Sequence, residues 1–209
     1  MTASTSVRFT EEMLGHVSFG ETDFDRGGSP RTGGSALKFH LTIEIDDMAS
    51  FALDPGRAVT SRGYIVCDDL GGRLELERGV FNLFVDTAPG VKRMRYRLWF
   101  RDGVGHPLTL SGFKLVRNDA GFDLWRDTTT LFTVLLHGHV EIDEGAEVVA
   151  AGILRIRPRD FALQLTTFRT RGQRRGERLL GLARFGWVFA GQLAEIYLPG
   201  TRRHVDAQA

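Results

Sequence analysis

The feature that most constrains this chain is a strict two-residue alternation. In residues 37–45, LKFHLTIEI, the side chains of Leu37, Phe39, Leu41, Ile43 and Ile45 fall on one face, with Lys38, His40, Thr42 and Glu44 on the other. In residues 94–100, MRYRLWF, Tyr96, Leu98 and Phe100 share one face, while Arg95, Arg97 and the following Arg101 share the opposite one. A period of two is the signature of a β-strand with one face buried and one wet. Residues 80–85, 108–116, 131–140 and 148–156 add apolar runs of strand length.

Short turn signals separate these runs. Asp68-Asp69-Leu70-Gly71-Gly72 divides GYIVC from RLELERG, Thr87-Ala88-Pro89-Gly90 precedes the strand at 94–100, and Asp102-Gly103-Val104-Gly105-His106-Pro107 follows it. Connections this short join antiparallel neighbours, because parallel pairs need long crossovers. The fold class expected is therefore mainly β. An antiparallel β-barrel of about eight strands, lipocalin-like or related, is one form, and a β-sandwich with a C-terminal helix is the other. Helices are few. Asp46-Asp47-Met48-Ala49-Ser50-Phe51 opens with acidic residues and reads as a short helix, as does Pro158-Arg159-Asp160-Phe161-Ala162. Residues 174–198 carry apolar side chains at spacings of three and four and read as a C-terminal helix. The arginine-rich lead into it, 169–184, suits packing on the domain's own core, docking on a partner or an anionic membrane surface, with the first of these expected.

With 209 residues, 42% hydrophobic and 25% charged, the chain is long enough for one domain, 1–209, with a β-rich body over 7–170. A formal net charge of +1 argues against a nucleic-acid partner. A single cysteine, Cys67, rules out an intrachain disulfide and suits a small buried residue. No secretory signal pattern opens the chain and no apolar run is long enough for a transmembrane segment, so a cytoplasmic location is expected. Only three of the 27 basic residues are lysines.

Phe9-Thr10 followed after four residues by Gly15-His16-Val17 is repeated as Phe132-Thr133 and Gly138-His139-Val140, which makes an internal duplication one reading of the body. The first copy carries a longer glycine-rich stretch, 20–35, which reads as a mobile flap or a disordered tip. It lacks the lysine and spacing of a phosphate-binding loop.

Candidate site residues are sparse. His137 and His139, two apart, point the same way on a strand. A stable metal site would need more ligands, with His16 and His40 the nearest candidates, and none is expected. Trp125 and Asp127 share a strand face and suit a ligand pocket that is apolar with a few polar groups. Tyr96, Phe100, His137 and His139 are expected to line the same pocket. If there is catalysis, Asp127, His137 and His139 are the candidates for acid or base. Glu75 and Glu77 share a face opposite Leu74 and Leu76 and are expected in solvent. No dinucleotide fingerprint and no nucleophile elbow occurs, and no cofactor is expected.

Several longer strings, FTEEMLGHVSFGETDFDRG, GYIVCDDLGGRLELERGVFNLFVD, YRLWFRDGVGHPLTLSGFKLVRNDAGFDLWRDTTTLFTVLLHGHV and GILRIRPRDFALQLTTF, resemble an actinobacterial accessory region of unknown function. That region is found with GMC-type (cholesterol-oxidase-like) flavin oxidoreductases and linked α/β-hydrolases. The resemblance covers residues 7–170. It implies a setting in steroid or other lipid metabolism and a protein partner of the oxidoreductase or hydrolase kind, and it transfers no catalytic residue.

The function expected is therefore a small-molecule binding or accessory module for an apolar, sterol- or lipid-like ligand. The alternative is a cofactor-free isomerase or cyclase acting inside the barrel. The first needs an interior able to take a guest. The second needs an acid or base pointing into it.

Overall fold

The computed structural model describes residues 6–29, 33–88, 91–117, 128–157 and 169–171. Nine strands are described: β1 (Ser6–Phe19), β2 (Ser35–Ile45), β3 (Ala58–Cys67), β4 (Gly72–Ala88), β5 (Val91–Arg101), β6 (Pro107–Arg117), β7 (Thr130–His137), β8 (Val148–Arg155) and β9 (Arg169–Arg171). Each of β1 to β7 pairs antiparallel with the next, and β1 also pairs with β8. That last pairing closes the sheet, so the fold is an eight-stranded up-and-down barrel and not a sandwich. The seam joins Leu14–Phe19 of β1 to β8, while β9 pairs with Ser6–Arg8 farther down the same edge. Closure leaves no long unpaired edge, which is the advantage of a barrel for a chain of short meander connections.

The alternation seen in sequence is the alternation between lumen and outside. Leu37, Phe39, Leu41, Ile43 and Ile45 of β2, Met94, Tyr96, Leu98 and Phe100 of β5, and Leu108 and Leu110 of β6 join one contiguous buried cluster. Each large side chain moved from water into it contributes about 1.5–3 kcal/mol. Cys67 is in this cluster, as its apolar setting implies. Glu75 and Glu77 are exposed and pair with Arg73 and Arg101.

Glycines allow the curvature. At Gly152 an added Cβ would lie 2.0 Å from the His16 carbonyl oxygen, and at Gly15 2.0 Å from that of Ile153, so the two strands of the seam approach too closely for any side chain there. The strings RLELERG and VFNLFV are one strand, β4, broken by register shifts between Leu76 and Arg78 and between Asn82 and Val85. These bulges re-aim the strand without ending it.

Two short helices are described. α1 (Phe24–Gly27) lies in the glycine-rich stretch read as a mobile flap. It packs on the outer wall, where an added Cβ at Gly27 would come 2.0 Å from the Ala151 carbonyl oxygen. Close approach, and not freedom, is what this glycine supplies. Phe24 meets Phe113 and Phe132 edge-on at 5.8 and 5.6 Å. The repeat motif is split between faces: Phe9 belongs to the buried cluster, whereas Phe132 faces α1, and the second Gly-His-Val follows the end of β7.

α2 (Met48–Leu53) falls where the acidic start predicts a helix and packs Met48 and Phe51 into the cluster. Its N-cap is Asp47, whose carboxylate accepts from the amides of Ala49 and Ser50. Asp47→Ala is expected to cost about 1 kcal/mol, read as a lower thermal midpoint. The helices expected at 158–162 and 174–198 lie outside the described residues, as do Trp125 and Asp127.

Candidate functional site

An eight-stranded barrel is just wide enough for side chains to fill it or for one small ligand. Most lumen positions are apolar, and three of the exceptions form one cluster. Glu11 stands at a lumen position of β1, between Phe9 and Met13, and is 2% exposed. Four strands away round the ring, on the opposite wall, Tyr96 of β5 donates its hydroxyl to Glu11 Oε2 at 2.8 Å. Lys114 of β6 donates its ammonium to Glu11 Oε1. Both partners are as buried as Glu11. The ammonium also lies 5.1 Å from the centre of the Tyr96 ring, which packs against Phe39 and Phe81. The three side chains form a brace across the diameter of the barrel.

Such a brace is a costly way to hold walls together. Desolvating a carboxylate and an ammonium costs several kcal/mol per ion, and a buried pair often contributes no more than the apolar residues that would replace it. Its geometry, with both carboxylate oxygens engaged, offsets that cost. Burial is the largest influence on Tyr96, and the adjoining Glu11 carboxylate adds to it. Together they hold the phenol well above its usual range. The unfolded chain releases this proton near pH 10 and the folded chain keeps it. Stability is therefore expected to fall as pH rises above about 10, with a contribution approaching 1.4 kcal/mol per pH unit from this group. Urea midpoints taken across the alkaline range check this, and Tyr96→Phe should remove that part of the slope. Burial likewise pushes the Cys67 thiol up, against backbone hydrogen bonds from Leu70 and Asp69 that pull it down.

A fourth polar group stands beside the brace. Thr133 of β7 is fully buried, and its Oγ1 has no hydrogen-bond partner. The cross-strand register runs Tyr96, Gly112, Thr133, Gly152, so both in-register neighbours of Thr133 are glycines with no polar side chain to offer the hydroxyl, and the Leu131 side chain covers Gly112. Ser61 Oγ, also buried, is unpartnered too. A buried hydroxyl without a partner costs about 1–3 kcal/mol, and native proteins keep few of them.

Of the residues singled out in the sequence, Tyr96 and Phe100 belong to the buried lumen cluster. His137 pairs with Leu108 at the end of β7 and is exposed. His139 lies beyond β7, with Nε2 3.1 Å from the Phe100 carbonyl oxygen and 3.7 Å from Glu77. The two histidines thus lie at the end of β7 and in the loop after it, and the brace sits deeper in the lumen. No group of three or more His, Cys, Asp or Glu placed to hold a metal ion occurs among the described residues. No described helix is long and apolar enough to cross a membrane.

Glu11 and Lys114 carry no motif. The available signal was an acidic residue within FTEEM at a position where the period of two demands an apolar one, and a lysine within an apolar strand in a chain holding only three lysines.

Comparison with protein-family models, with curated proteins and with solved structures gives no match.

Proposed function

We propose that this chain is a binding module that takes one small, largely apolar molecule into the barrel and holds its polar end at the Glu11–Tyr96–Lys114 brace. The observation that carries the reading is the Thr133 hydroxyl, buried beside the brace with its hydrogen-bonding capacity unused. An apolar enclosure with a few convergent polar groups is the usual form of a small-molecule site. A hydroxyl or carbonyl on the guest would satisfy Thr133, and the aromatic and aliphatic lumen would take its body. Met13, Met48 and Met94 belong to the buried cluster. Methionine is the unbranched, adaptable side chain best able to yield space. A sterol- or lipid-like guest fits this lining, and the resemblance to the accessory region of lipid-oxidising enzymes points the same way. Docking on such an enzyme in the cytoplasm belongs to the same reading.

A cofactor-free isomerase or cyclase is the second reading. What favours it is the phenol hydrogen-bonded to a buried carboxylate, an acid–base pair in dry surroundings. Glu11 and Tyr96 would then hold the roles that the sequence offered to Asp127, His137 and His139.

The test is the mass of the purified protein, incubated with a mixture of sterols and fatty acids, under native and then denaturing conditions. The binding reading expects one organic species of a few hundred daltons to be retained and then lost on denaturation. The bare chain mass in both states overturns it. Release of a chemically altered guest, abolished by Glu11→Gln, would favour the enzyme.

A further inference from the structure

The outer wall of the barrel holds a second site, independent of the lumen. β4 and β5 present arginines outward, and the loop of residues 138–147 folds back over them. Between loop and wall lies a groove of about 800 Å³, a size that suits a small organic molecule.

Pairing the charges on this wall leaves a remainder. Arg78 pairs with Glu141, Arg97 with Asp143, and Arg101 with Glu77. Arg93 and Arg95, two apart on the same face of β5, have no carboxylate partner among the described residues, yet both line the groove. The Arg93 guanidinium carbon lies 4.5 Å from the centre of the Phe113 ring, and its Nε is buried with no acceptor. The ring contact holds the guanidinium at the groove, where its Nε keeps an unused donor. The chemistry of the wall is already shown in cis. Asp143 takes hydrogen bonds from Arg97 Nη2 at 2.8 Å and from Ser111 Oγ at 2.7 Å, so a carboxylate is what this face accepts. Glu144 on the loop wall supplies one opposing charge against the two unpaired arginines.

We propose that the groove binds a small molecule through an oxyanion, carboxylate or phosphate, held by Arg93 and Arg95, with its body against Phe113 and Asn82. Guanidinium groups match such oxyanions in planar, charge-assisted hydrogen bonds. The ligand class is thus a small acid, and the site works whether or not the lumen holds a guest.

The test is a titration of the ¹⁵N-labelled protein, read by amide NMR at constant ionic strength, with inorganic phosphate in one series and succinate in another. Shifts are expected to saturate and to be confined to residues 80–82, 93–97, 111–113 and 141–144. Arg93→Gln and Arg95→Gln should each weaken binding about tenfold, and Arg62→Gln, an exposed arginine on β3, should leave it unchanged. Saturation by phosphate alone would assign a phosphate ligand, and by succinate alone a carboxylate. No saturable shift with either anion, shifts scattered over other arginines, or equal binding by the double Arg93→Gln/Arg95→Gln variant overturns the proposal.

Discussion

Replacing Lys114 with methionine is expected to destabilise the barrel by about 3–5 kcal/mol, and removing its partner as well, in Glu11→Met/Lys114→Met, to restore most of that loss. The single variant leaves a carboxylate inside the lumen, 2% exposed, with only the Tyr96 hydroxyl to satisfy it. The double variant removes the charge and fills the space with flexible apolar chains. Urea denaturation of the four proteins of this cycle at neutral pH measures the coupling directly. A pair on the surface would contribute about 1 kcal/mol or less, so a loss of that size for Lys114→Met would place the ammonium in water and remove the brace. With typical stabilities of 5–15 kcal/mol, the expected loss leaves the single variant folded or marginal. The recovery in the double variant keeps the test readable either way.

Gly152→Ala should damage closure of the barrel itself. The added methyl group would sit 2.0 Å from the His16 carbonyl oxygen, and that neighbour is backbone, which cannot swing aside. Accommodating it means parting β8 from β1 where, among the described residues, the ring of strands is joined end to start. The expected cost is about 3 kcal/mol, with faster amide exchange in Leu14–Phe19 and in β8. Gly138→Ala is the control. Gly138 has open space around its Cβ position but a φ of +84°, so it should lose only about 1–2 kcal/mol through backbone strain. If the two substitutions cost the same, tight apposition at the seam is not what Gly152 provides.

Glu11 and Gly15 of β1 mark where the sequence stops being legible. The barrel was readable because β2 and β5 alternate cleanly, with an apolar residue at every lumen position of 37–45 and of 94–100. β1 was not, because its lumen face runs Val7, Phe9, Glu11, Met13, Gly15, Val17. A carboxylate and a glycine interrupt the period, one for the brace and one for the seam. The same interruptions are what close and polarise the lumen. Burial of Tyr96 and Phe100 followed from local pattern. The partners of Tyr96 did not, since Glu11 is 85 residues away in sequence and meets it only across the closed ring. Trp99 shows the converse limit. It falls on the outward face with the arginines, yet it is 3% exposed, because the loop after β7 folds over it and takes its indole N–H at the Val140 carbonyl oxygen. No local periodicity reports such a cover.

The most direct test of the lumen reading is a titration of the wild-type protein and Thr133→Val with a fluorescent sterol, alongside their urea midpoints. Valine keeps the shape of threonine and removes only a hydroxyl that has no partner in the fold. The variant should therefore be as stable as the wild type or more so, by about 1 kcal/mol, while binding one equivalent of sterol about tenfold more weakly. Equal affinity in the two proteins, or no saturable binding by the wild type, would contradict the claim that the lumen holds a guest by its polar end.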